Sequence, residues 1–325
     1  MKNNDLKKIL VIRFSSLGDV ILSSVVLDPL YEKDYNVDFL TFKPFSDVFE
    51  KDYRIKNLIA VDKSRLKSIS DIYSFTKSLD KYDYVLDLHS NLRSYLIGFF
   101  LKLRYNPKIL RYKKQSLKRR LKILDPNFNV LKVYLEPLKK LGIENLNYRP
   151  KVIITNQEVE KVKTFLPQKF ISLGTGARYK SKVYPYYKEL SEILLENGFN
   201  VVLVGSKEDL EMDKSIYPKE VLDLRGKITL RETITVISQG LATISNDSAI
   251  AHMSRAVGIK VLMIYGSTHP YFGFAPLKDE GDYIFKNLPC QPCSLHGQNS
   301  CKYKTFECLT SISPQEVYNK LKNLI

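Results

Sequence analysis

Residues 8–20 read KILVIRFSSLGDV, and this stretch decides the fold. A compact apolar run of buried-strand length, residues 8–14, leads into a glycine turn, and residues 20–30 then place apolar side chains at helical spacing. Strands are likewise predicted at residues 37–42, 58–61 and 84–88, with helical stretches at residues 66–79 and 92–101 between them. Strand–helix alternation of this kind predicts a parallel sheet with helices on both faces.

The pattern loosens around residues 145–156 and then restarts, which predicts a second domain of the same class. Its strands are expected at residues 170–173, 200–204, 242–245 and 261–265, and its helices at residues 186–196, 229–238 and 248–257. Residues 313–316 read SPQE: an N-cap serine, a proline at the first helical position and a capping-box glutamate that open a last helix. We therefore predict two doubly wound α/β domains, residues 1–152 and 153–312, followed by a helix over residues 313–325.

The charge of the chain is strongly positive, with 51 Lys and Arg against 35 Asp and Glu and a formal net charge of +16. A field of this sign attracts anionic partners, such as nucleic acid, acidic lipid head groups or phosphorylated small molecules. The N-terminus has no signal-peptide pattern, and no apolar run approaches the roughly 20 residues that span a bilayer. We expect a cytoplasmic protein, with peripheral contact to a membrane left open.

Asp19 follows the first predicted strand, beside the glycine that lets the chain turn. Ligands of open parallel sheets bind outside the carboxyl ends of the strands. A carboxylate at that place can accept the proton of a substrate hydroxyl and act as a general base. The alternative is that Ser16 or Asp19 caps the following helix, because junctions of strand, glycine and helix are common.

A second candidate site follows a predicted strand at the equivalent place in the second domain, where residues 173–182 read LGTGARYKSK. Gly174 and Gly176 permit a close backbone approach to a ligand. A hydroxyl and three cations suited to a diphosphate complete the loop: Thr175, Arg178, Lys180 and Lys182. The alternative is a solvated basic loop.

A third candidate site lies at residues 244–252, which read ISNDSAIAH, where a strand ends and a helix begins. Free backbone N–H groups at a helix N-terminus form a site for an anion. Asp247 would repel a phosphate, so we expect it to contact neutral hydroxyls or the helix N–H groups. His252 lies within the helix, where a lone histidine is more often structural, and residues 266–270 add hydroxyls at the neighbouring strand end.

Four cysteines lie close together near the C-terminus, at Cys290, Cys293, Cys301 and Cys308. The first pair has zinc-knuckle spacing, but the second pair does not repeat the C-x2-C pattern. A structural zinc, reduced thiols and local disulfides are therefore all open. The clustering argues against a disulfide framework spread across the fold.

A basic stretch, residues 102–122, holds ten Lys and Arg and no acidic residue. It includes Lys113, Lys114, Arg119 and Arg120, with Tyr105 and Tyr112 interleaved. This composition fits a phosphorylated acceptor, an anionic membrane surface or nucleic acid, and the alternative is a solvated face.

Taken in order along the chain, these segments resemble glycosyltransferase family 9, the ADP-heptose:lipopolysaccharide heptosyltransferases. The resemblance is carried by residues 9–20, 181–185 (SKVYP), 245–252 (SNDSAIAH), 266–270 (GSTHP), 272–274 (FGF) and 290–293 (CQPC). The Asn-Asp-Ser motif and the cysteine tail are similar to the heptosyltransferase II branch. Two positions depart from the family pattern, with Ala249 in place of Gly and Tyr184 in place of Trp.

The resemblance implies the GT-B fold, in which two Rossmann-like domains face a cleft and the last helix crosses back to the first domain. It implies acceptor binding by the first domain, nucleotide-sugar binding by the second, and inverting transfer that requires no metal or other cofactor. The implied donor is ADP-L-glycero-D-manno-heptose. The implied acceptor is a hydroxyl of the lipopolysaccharide inner core, a phosphorylated lipid-linked oligosaccharide at the inner face of the cytoplasmic membrane, and no nucleic-acid partner is expected.

The resemblance also implies residue roles. Asp19 would take the proton of the acceptor hydroxyl, and Lys182 would stabilise the departing diphosphate. The implied donor contacts are Gly174, Thr175, Arg178, Glu208, Asp247, Ser248, Ala249, Ile250 and His252. The implied acceptor or anion contacts are Ser16, Gly18, Lys113, Lys114, Arg119 and Arg120.

Two other functions are open at this point. One is a family 9 transferase with a different donor or acceptor, and the other is a non-catalytic protein that binds nucleotides or nucleic acid. A nicotinamide-dependent dehydrogenase is disfavoured, because no G-x-G-x-x-G fingerprint follows the first strand.

Overall fold

The computed structural model describes residues 6–114, 121 and 125–325, and it divides the chain into two compact units. The first unit holds the described residues up to Lys114 together with Val130–Ile153. The second unit holds Ile154–Ile325 together with the described residues between Lys114 and Val130.

The first unit is built on a five-stranded sheet in the order β3-β2-β1-β4-β5, with every neighbouring pair parallel. Its strands are β1 (Lys8–Ile12), β2 (Asn36–Phe42), β3 (Asn57–Val61), β4 (Tyr84–Asp87) and β5 (Lys108–Arg111). The sequence predicts the first four. It misses β5, because this short strand at the edge of the sheet carries charged residues at both ends and lies within the basic stretch.

Helices on the two faces of this sheet bury its apolar strands. They are α1 (Leu17–Ser23), α2 (Leu27–Tyr31), α3 (Lys43–Ser46), α4 (Ile69–Lys77), α5 (Leu92–Tyr105) and α6 (Val130–Leu135). Ile97 and Leu101 of α5 share one core cluster with Leu10 and Ile12 of β1, all at 0% exposure. Helix α5 begins at the N-cap Asn91, whose side chain accepts a bond from the Ser94 N–H, and it ends four residues later than the sequence predicts.

The second unit repeats this plan with a six-stranded parallel sheet in the order β11-β10-β9-β6-β7-β8. Its strands are β6 (Phe170–Gly174), β7 (Asn200–Val204), β8 (Leu222–Asp223), β9 (Ala242–Asn246), β10 (Lys260–Ile264) and β11 (Gly281–Ile284). The short edge strands β8 and β11 were not predicted. The four central strands agree with the sequence to within one residue, and the two doubly wound domains of the predicted fold class are confirmed.

The helices of the second unit are α7 (Asn156–Lys163), α8 (Tyr187–Glu196), α9 (Lys207–Met212), α10 (Leu230–Ser238), α11 (Ala249–Ala256), α12 (Glu307–Thr310) and α13 (Pro314–Lys322). Gly198, two residues after α8, has a φ of +80°, as the C-terminal glycine signal predicts. Along the described chain, no helix has both the length and the hydropathy that crossing a bilayer requires.

The last helix, α13, packs on α8, and its Val317 and Leu321 lie in the same core cluster as Leu190 and Leu194. Its predicted N-cap is confirmed, because the Ser313 hydroxyl accepts a bond from the Glu316 N–H at 3.1 Å. The predicted capping-box bond of the Glu316 carboxylate is replaced by an ion pair with Lys286 at 2.7 Å. The crossing of this helix to the first domain stays a prediction.

Candidate active site

Asp19 lies in the first turn of α1, just beyond the carboxyl end of β1, and each of its carboxylate oxygens is held by a different set of donors. Oδ1 is 2.8 Å from a guanidinium nitrogen of Arg13 and accepts a hydrogen bond from the Tyr134 hydroxyl at 3.1 Å. Oδ2 accepts a bond from the Ser16 hydroxyl at 2.8 Å and a longer one from the Ser16 N–H at 3.3 Å. Both sequence interpretations of Asp19 therefore meet here, because the residue caps α1 and also presents a carboxylate at the strand edge.

The environment of Asp19 keeps it ionised. Burial opposes ionisation, but the ion pair with Arg13 and the hydrogen bonds from Ser16 and Tyr134 outweigh it and lower the pKa of the carboxyl group.

The Ser16 side chain is exposed, whereas Gly18, which was predicted to contact the acceptor, is buried in the first turn of α1.

His89 is a polar residue at this edge that the sequence analysis missed. It follows β4, the parallel neighbour of β1, and its ring contacts the Phe14 ring edge-on at 5.2 Å. Its Nδ1 atom is buried and makes no hydrogen bond with any residue that the structure describes. Burial, together with the positive charges of Arg13 and Lys114, lowers the pKa of His89 to about 3, so the ring is neutral at physiological pH.

The predicted anion contacts of the basic stretch fall into two groups. Lys113 and Lys114 are exposed residues just beyond the carboxyl end of β5, and the positive charge of Lys114 helps to lower the pKa of His89. Arg119 and Arg120 lie outside the described residues.

In the second unit, Lys182 and Asp247 form an ion pair, with Nζ of Lys182 2.9 Å from Oδ2 of Asp247 and each side chain 14% exposed. The same carboxylate oxygen accepts a bond from the Thr268 hydroxyl at 2.7 Å. The three residues come from the loops that follow β6, β9 and β10, which are adjacent strands. The sequence predicts neutral hydroxyl partners for Asp247, and Thr268 is such a partner, whereas the Lys182 contact was not foreseen.

Buried side chains hold the loop after β6 in place through hydrogen bonds. The Thr175 hydroxyl is fully buried and accepts a bond from the Arg225 guanidinium at 2.9 Å. The amide group of Asn246 donates to the carbonyl oxygens of Thr175 and Gly176 at 2.9 and 3.1 Å and accepts from the Tyr184 N–H at 3.0 Å. Thr175 is thus placed to hold the loop, and Asn246, which has no predicted role of its own, joins the two predicted donor motifs.

The outer part of the same loop is more open. Arg178 is exposed, and its guanidinium lies 5.3 Å from the Tyr179 ring centroid. The main chain at Gly174 ends β6 and is buried. The cationic surface of the loop is therefore carried by Arg178 and Lys180, while Lys182 is turned toward Asp247.

Helix α11 begins with Ser248 as its N-cap, but the Ser248 side chain makes no capping bond to the helix. Its hydroxyl pairs instead with the Ser245 hydroxyl at 3.0 Å. The first backbone N–H groups of α11, at Ala249 and Ile250, are consequently left without a side-chain cap, as an anion site requires. His252 is 5% exposed, and its Nδ1 lies 3.3 Å from the Arg255 guanidinium, which places it inside the unit.

Glu208 is exposed at the second position of α9, and a backbone hydrogen bond and the Ser206 hydroxyl lower its pKa. Its neighbour Asp209 receives the Ser206 N–H at 2.8 Å and packs against Gly176. A Cβ added at Gly176 would lie 1.9 Å from the Asp209 carboxylate, so this position of the loop requires glycine.

The four cysteines are all reduced, with Cys308 buried and the other three partly buried. Burial and the proximity of Cys293, Cys290 and Cys301 raise the pKa of Cys308 to about 12. Within the described residues, which include these four, no group of three or more metal-binding side chains is arranged around a common point. Disulfides are thus absent among the described cysteines. The four side chains do not surround a common point as zinc ligands would, and the structural zinc stays a prediction.

The segment that carries the cysteines supports the Lys182 loop. The Cys293 N–H donates to the Ser267 carbonyl at 3.1 Å, and the Ser267 N–H donates to the Ser181 carbonyl at 3.0 Å. The hydroxyl groups of Ser181 and Ser267 also lie 2.7 Å apart. Residues next to Lys182 are therefore tied to the cysteine segment through Ser267.

The family model of glycosyltransferase family 9 (heptosyltransferase) matches residues 72–304, which is more than half of the chain. The chain belongs to glycosyltransferase family 9. It is accordingly a glycosyltransferase, and the predicted family and enzyme class are confirmed.

Relatives of this family 9 enzyme include the lipooligosaccharide heptosyltransferase 2 of Campylobacter jejuni, 24% identical with 95% of each chain covered. The lipooligosaccharide heptosyltransferase 2 of Haemophilus influenzae is 28% identical over 65% of this chain and 68% of its own. Among solved structures, a family 9 glycosyltransferase from Veillonella parvula superposes with a TM-score of 0.78, at 21% identity and with 98% and 96% of the two chains covered. ADP-heptose LPS heptosyltransferase II of Escherichia coli gives a TM-score of 0.74, at 20% identity and with 97% and 98% covered. These similarities confirm the GT-B fold for the family 9 chain.

Proposed function

We propose that this protein transfers a heptose from ADP-L-glycero-D-manno-heptose to a hydroxyl of the lipopolysaccharide inner core, with inversion at the anomeric carbon. The observation that carries this proposal is the charge arrangement at the two strand edges. One unit presents an ionised carboxylate, Asp19, and the other presents a cation, Lys182, beside an uncapped helix N-terminus. The relatives from Campylobacter jejuni and Haemophilus influenzae are named lipooligosaccharide heptosyltransferases, which supports the choice of sugar and acceptor.

In the proposed reaction the acceptor oxygen attacks the anomeric carbon while the bond from that carbon to the β-phosphate oxygen breaks. The acceptor proton passes to Asp19, and ADP departs with the electron pair of the broken bond. A carboxylate with a lowered pKa is a weak base but is fully ionised at neutral pH. It can therefore take a proton that becomes acidic only as the new bond forms.

The hydrogen bonds of Asp19 indicate which oxygen acts. Oδ1 is paired with Arg13 and Tyr134, whereas the nearest partner of Oδ2 is the hydroxyl of the exposed Ser16. A serine hydroxyl can rotate away at little cost, because it turns about a single bond. We propose that the acceptor hydroxyl replaces the Ser16 hydroxyl at Oδ2.

On the donor side, Lys182 and the N–H groups at the start of α11 would stabilise the charge that develops on the departing diphosphate. Arg178 would add positive charge at the open side of the loop, with Gly174, Thr175 and Asn246 holding the backbone in place. Asp247 would position the donor, and Glu208 would contact the nucleotide. The exposed residues Ser16, Lys113 and Lys114 would contact the phosphorylated acceptor, and no cofactor would be needed.

The proposed place of action is the cytoplasm, at the inner face of the membrane that holds the lipid-linked acceptor. The net charge of +16 supports this, since it attracts anionic head groups as well as the phosphates of the acceptor.

The test is transfer from ADP-heptose to an inner-core acceptor by purified Asp19→Asn protein. Loss of the base should lower kcat by about 10²- to 10⁴-fold while the affinity for ADP-heptose stays within about twofold. Asp71→Asn is the matched control, because Asp71 caps α4 through Ser68 in the same way as Asp19 caps α1 through Ser16. The assignment is refuted if Asp19→Asn retains transfer, loses donor binding, or behaves like Asp71→Asn.

A further inference from the structure

Helix α5 of the first unit exposes a row of large apolar side chains to solvent. Leu92 is 73% exposed, Tyr95 45%, Phe99 54% and Leu103 71%. Their spacing of three or four residues places them on one face of the helix. The opposite face packs Ile97 and Leu101 into the core, so α5 is apolar on both sides.

Such a face is unusual for a surface helix, which normally turns charged and polar residues to water. Single exposed apolar residues need no explanation, but a contiguous set marks an interaction surface. The set extends to α4, where Tyr73 is 46% exposed and its ring lies 5.1 Å from the Phe100 ring.

Positive charge surrounds this apolar face, and α5 contains no acidic residue. The Arg111 guanidinium lies 4.4 Å from the Tyr95 ring centroid, and Nζ of Lys77 lies 4.4 Å from that of Tyr73. Lys102 is exposed within the last turn of α5. Leucine and aromatic side chains flanked by Lys and Arg are the composition of helices that lie in the interface of an anionic membrane.

The charge pattern favours a lipid surface over a protein partner, since lysine is depleted in protein interfaces whereas anionic head groups attract it. The length of α5 excludes a spanning arrangement, because 14 residues make a helix of about 21 Å and the hydrocarbon core is about 30 Å thick.

The position of α5 connects this surface to the acceptor site. The helix begins at its N-cap Asn91, just beyond the carboxyl end of β4, and β4 is the parallel neighbour of β1, whose end carries Asp19. The Leu92 end of the apolar row thus starts at the strand edge where the proposed acceptor hydroxyl would be activated.

We propose that the face of α5 formed by Leu92, Tyr95, Phe99 and Leu103 inserts into the head-group region of an anionic lipid bilayer. This inference rests on the membrane association proposed above and identifies the surface responsible. Insertion holds the first unit at the surface in which a lipid-linked acceptor is embedded, which raises the effective concentration of that acceptor.

The test is co-sedimentation of the full chain with vesicles of phosphatidylglycerol and phosphatidylcholine, and with vesicles of phosphatidylcholine alone. The wild type should bind the anionic vesicles, and Phe99→Ser combined with Leu103→Ser should weaken binding about tenfold or more. Both side chains are more than half exposed, so the variant should fold normally. Lys102→Glu should weaken binding to the anionic vesicles roughly tenfold and leave binding to neutral vesicles unchanged.

The matched control replaces two exposed aliphatic residues of the second unit, Ile216→Ser with Leu241→Ser, at 85% and 44% exposure. It should bind vesicles like the wild type. The proposal is overturned if the wild type binds neither kind of vesicle or if the control and the α5 variant lose binding equally. It is also overturned if the α5 variant keeps vesicle binding. If sedimentation analysis then shows that this variant has lost a dimer, the face joins two copies of this chain.

Transfer to an acceptor without its lipid separates this inference from the proposed function. The α5 variant should keep the wild-type kcat with that soluble acceptor, since its changes lie on the outer face of the helix. If the wild type transfers no heptose but binds anionic vesicles through α5, the proposed reaction fails and the membrane surface stands.

Discussion

The ion pair between Lys182 and Asp247 leads to a prediction with an unexpected sign. Asp247→Asn keeps the shape of the side chain and an oxygen that can accept the Thr268 hydroxyl, but it removes the negative charge 2.9 Å from Nζ of Lys182. If Lys182 contacts the diphosphate of the donor, the carboxylate of Asp247 repels that diphosphate. The loss of this acidic group should then strengthen the binding of ADP.

The size of the effect follows from the geometry. A phosphate oxygen in contact with the far side of Nζ would lie within about 6 Å of the Asp247 carboxylate, given a charged hydrogen bond of about 2.9 Å. Two unit charges about 6 Å apart repel by about 0.7 kcal/mol in water and by about 3 kcal/mol at the effective dielectric constant of about 20 found near protein surfaces. The pair is 14% exposed on each side, between these limits. We therefore expect a gain of about 1.4 kcal/mol, which is about tenfold in Kd.

Isothermal titration calorimetry with ADP at low, fixed ionic strength measures this gain. ADP carries the diphosphate without the heptose, so contacts from Asp247 to heptose hydroxyls do not enter the result. Raising the salt concentration should reduce the gain by screening. Glu196→Gln is the control for a change in net charge. Glu196 is exposed at the end of α8, near the edge of the sheet where strand β7 begins and away from the strand ends that lead to the site.

The refuting result is an Asp247→Asn protein that is as stable as the wild type and binds ADP equally or more weakly. Lys182 would then not contact the diphosphate, and the Asp247 carboxylate would be a direct contact of the nucleotide. An equal gain with Glu196→Gln would trace the effect to net charge alone.

Two further predictions concern the loop after β6 and the neutral histidine of the first unit. Gly176→Ala should lower the free energy of unfolding by about 1–3 kcal/mol and weaken ADP binding, because the new methyl group displaces the Asp209 side chain of α9. Chemical denaturation and calorimetry test this, and unchanged stability with unchanged ADP affinity contradicts it. His89 has a folded pKa of about 3, below its unfolded value, so its contribution to stability is present above about pH 6.5 and is lost as the pH falls toward 3. Between pH 7 and pH 5 this loss of stability amounts to about 2 kcal/mol, and His89→Gln should abolish it. Urea denaturation at the two pH values tests this, and an equal pH dependence of stability in the wild type and in His89→Gln would disprove it.

The central strands and the helices that follow them could be predicted from the sequence, because buried parallel strands are short continuous apolar runs and their helices have apolar residues at helical spacing. The strands β5, β8 and β11 could not. An edge strand needs fewer apolar residues and obtains its conformation from pairing with a neighbour, as β8 does with only two residues paired to β7. Helix ends were predicted within a few residues, since N-caps such as Ser313 are local signals.

The candidate site divides in the same way. The sequence placed Asp19, Lys182 and Asp247 at strand ends, where ligands of parallel sheets bind. It did not reveal that Tyr134, which is 115 residues away in sequence, donates to Asp19, or that Lys182 pairs with Asp247. Partners of this kind depend on the order of strands in the sheet, and no local pattern encodes that order.

By itself, the sequence determined that this chain forms two parallel α/β units and which residues lie at the ends of their strands. Periodicity and glycine turns carry that information within short windows. Only the tertiary structure decided what those residues contact and which apolar side chains stay outside. Residues 92–103 read the same whether a row of them is buried or exposed, and it is the packing of Ile97 and Leu101 into the core that turns Phe99 and Leu103 to the solvent. The physical reason is that burial depends on long-range packing, which brings together segments far apart in the chain.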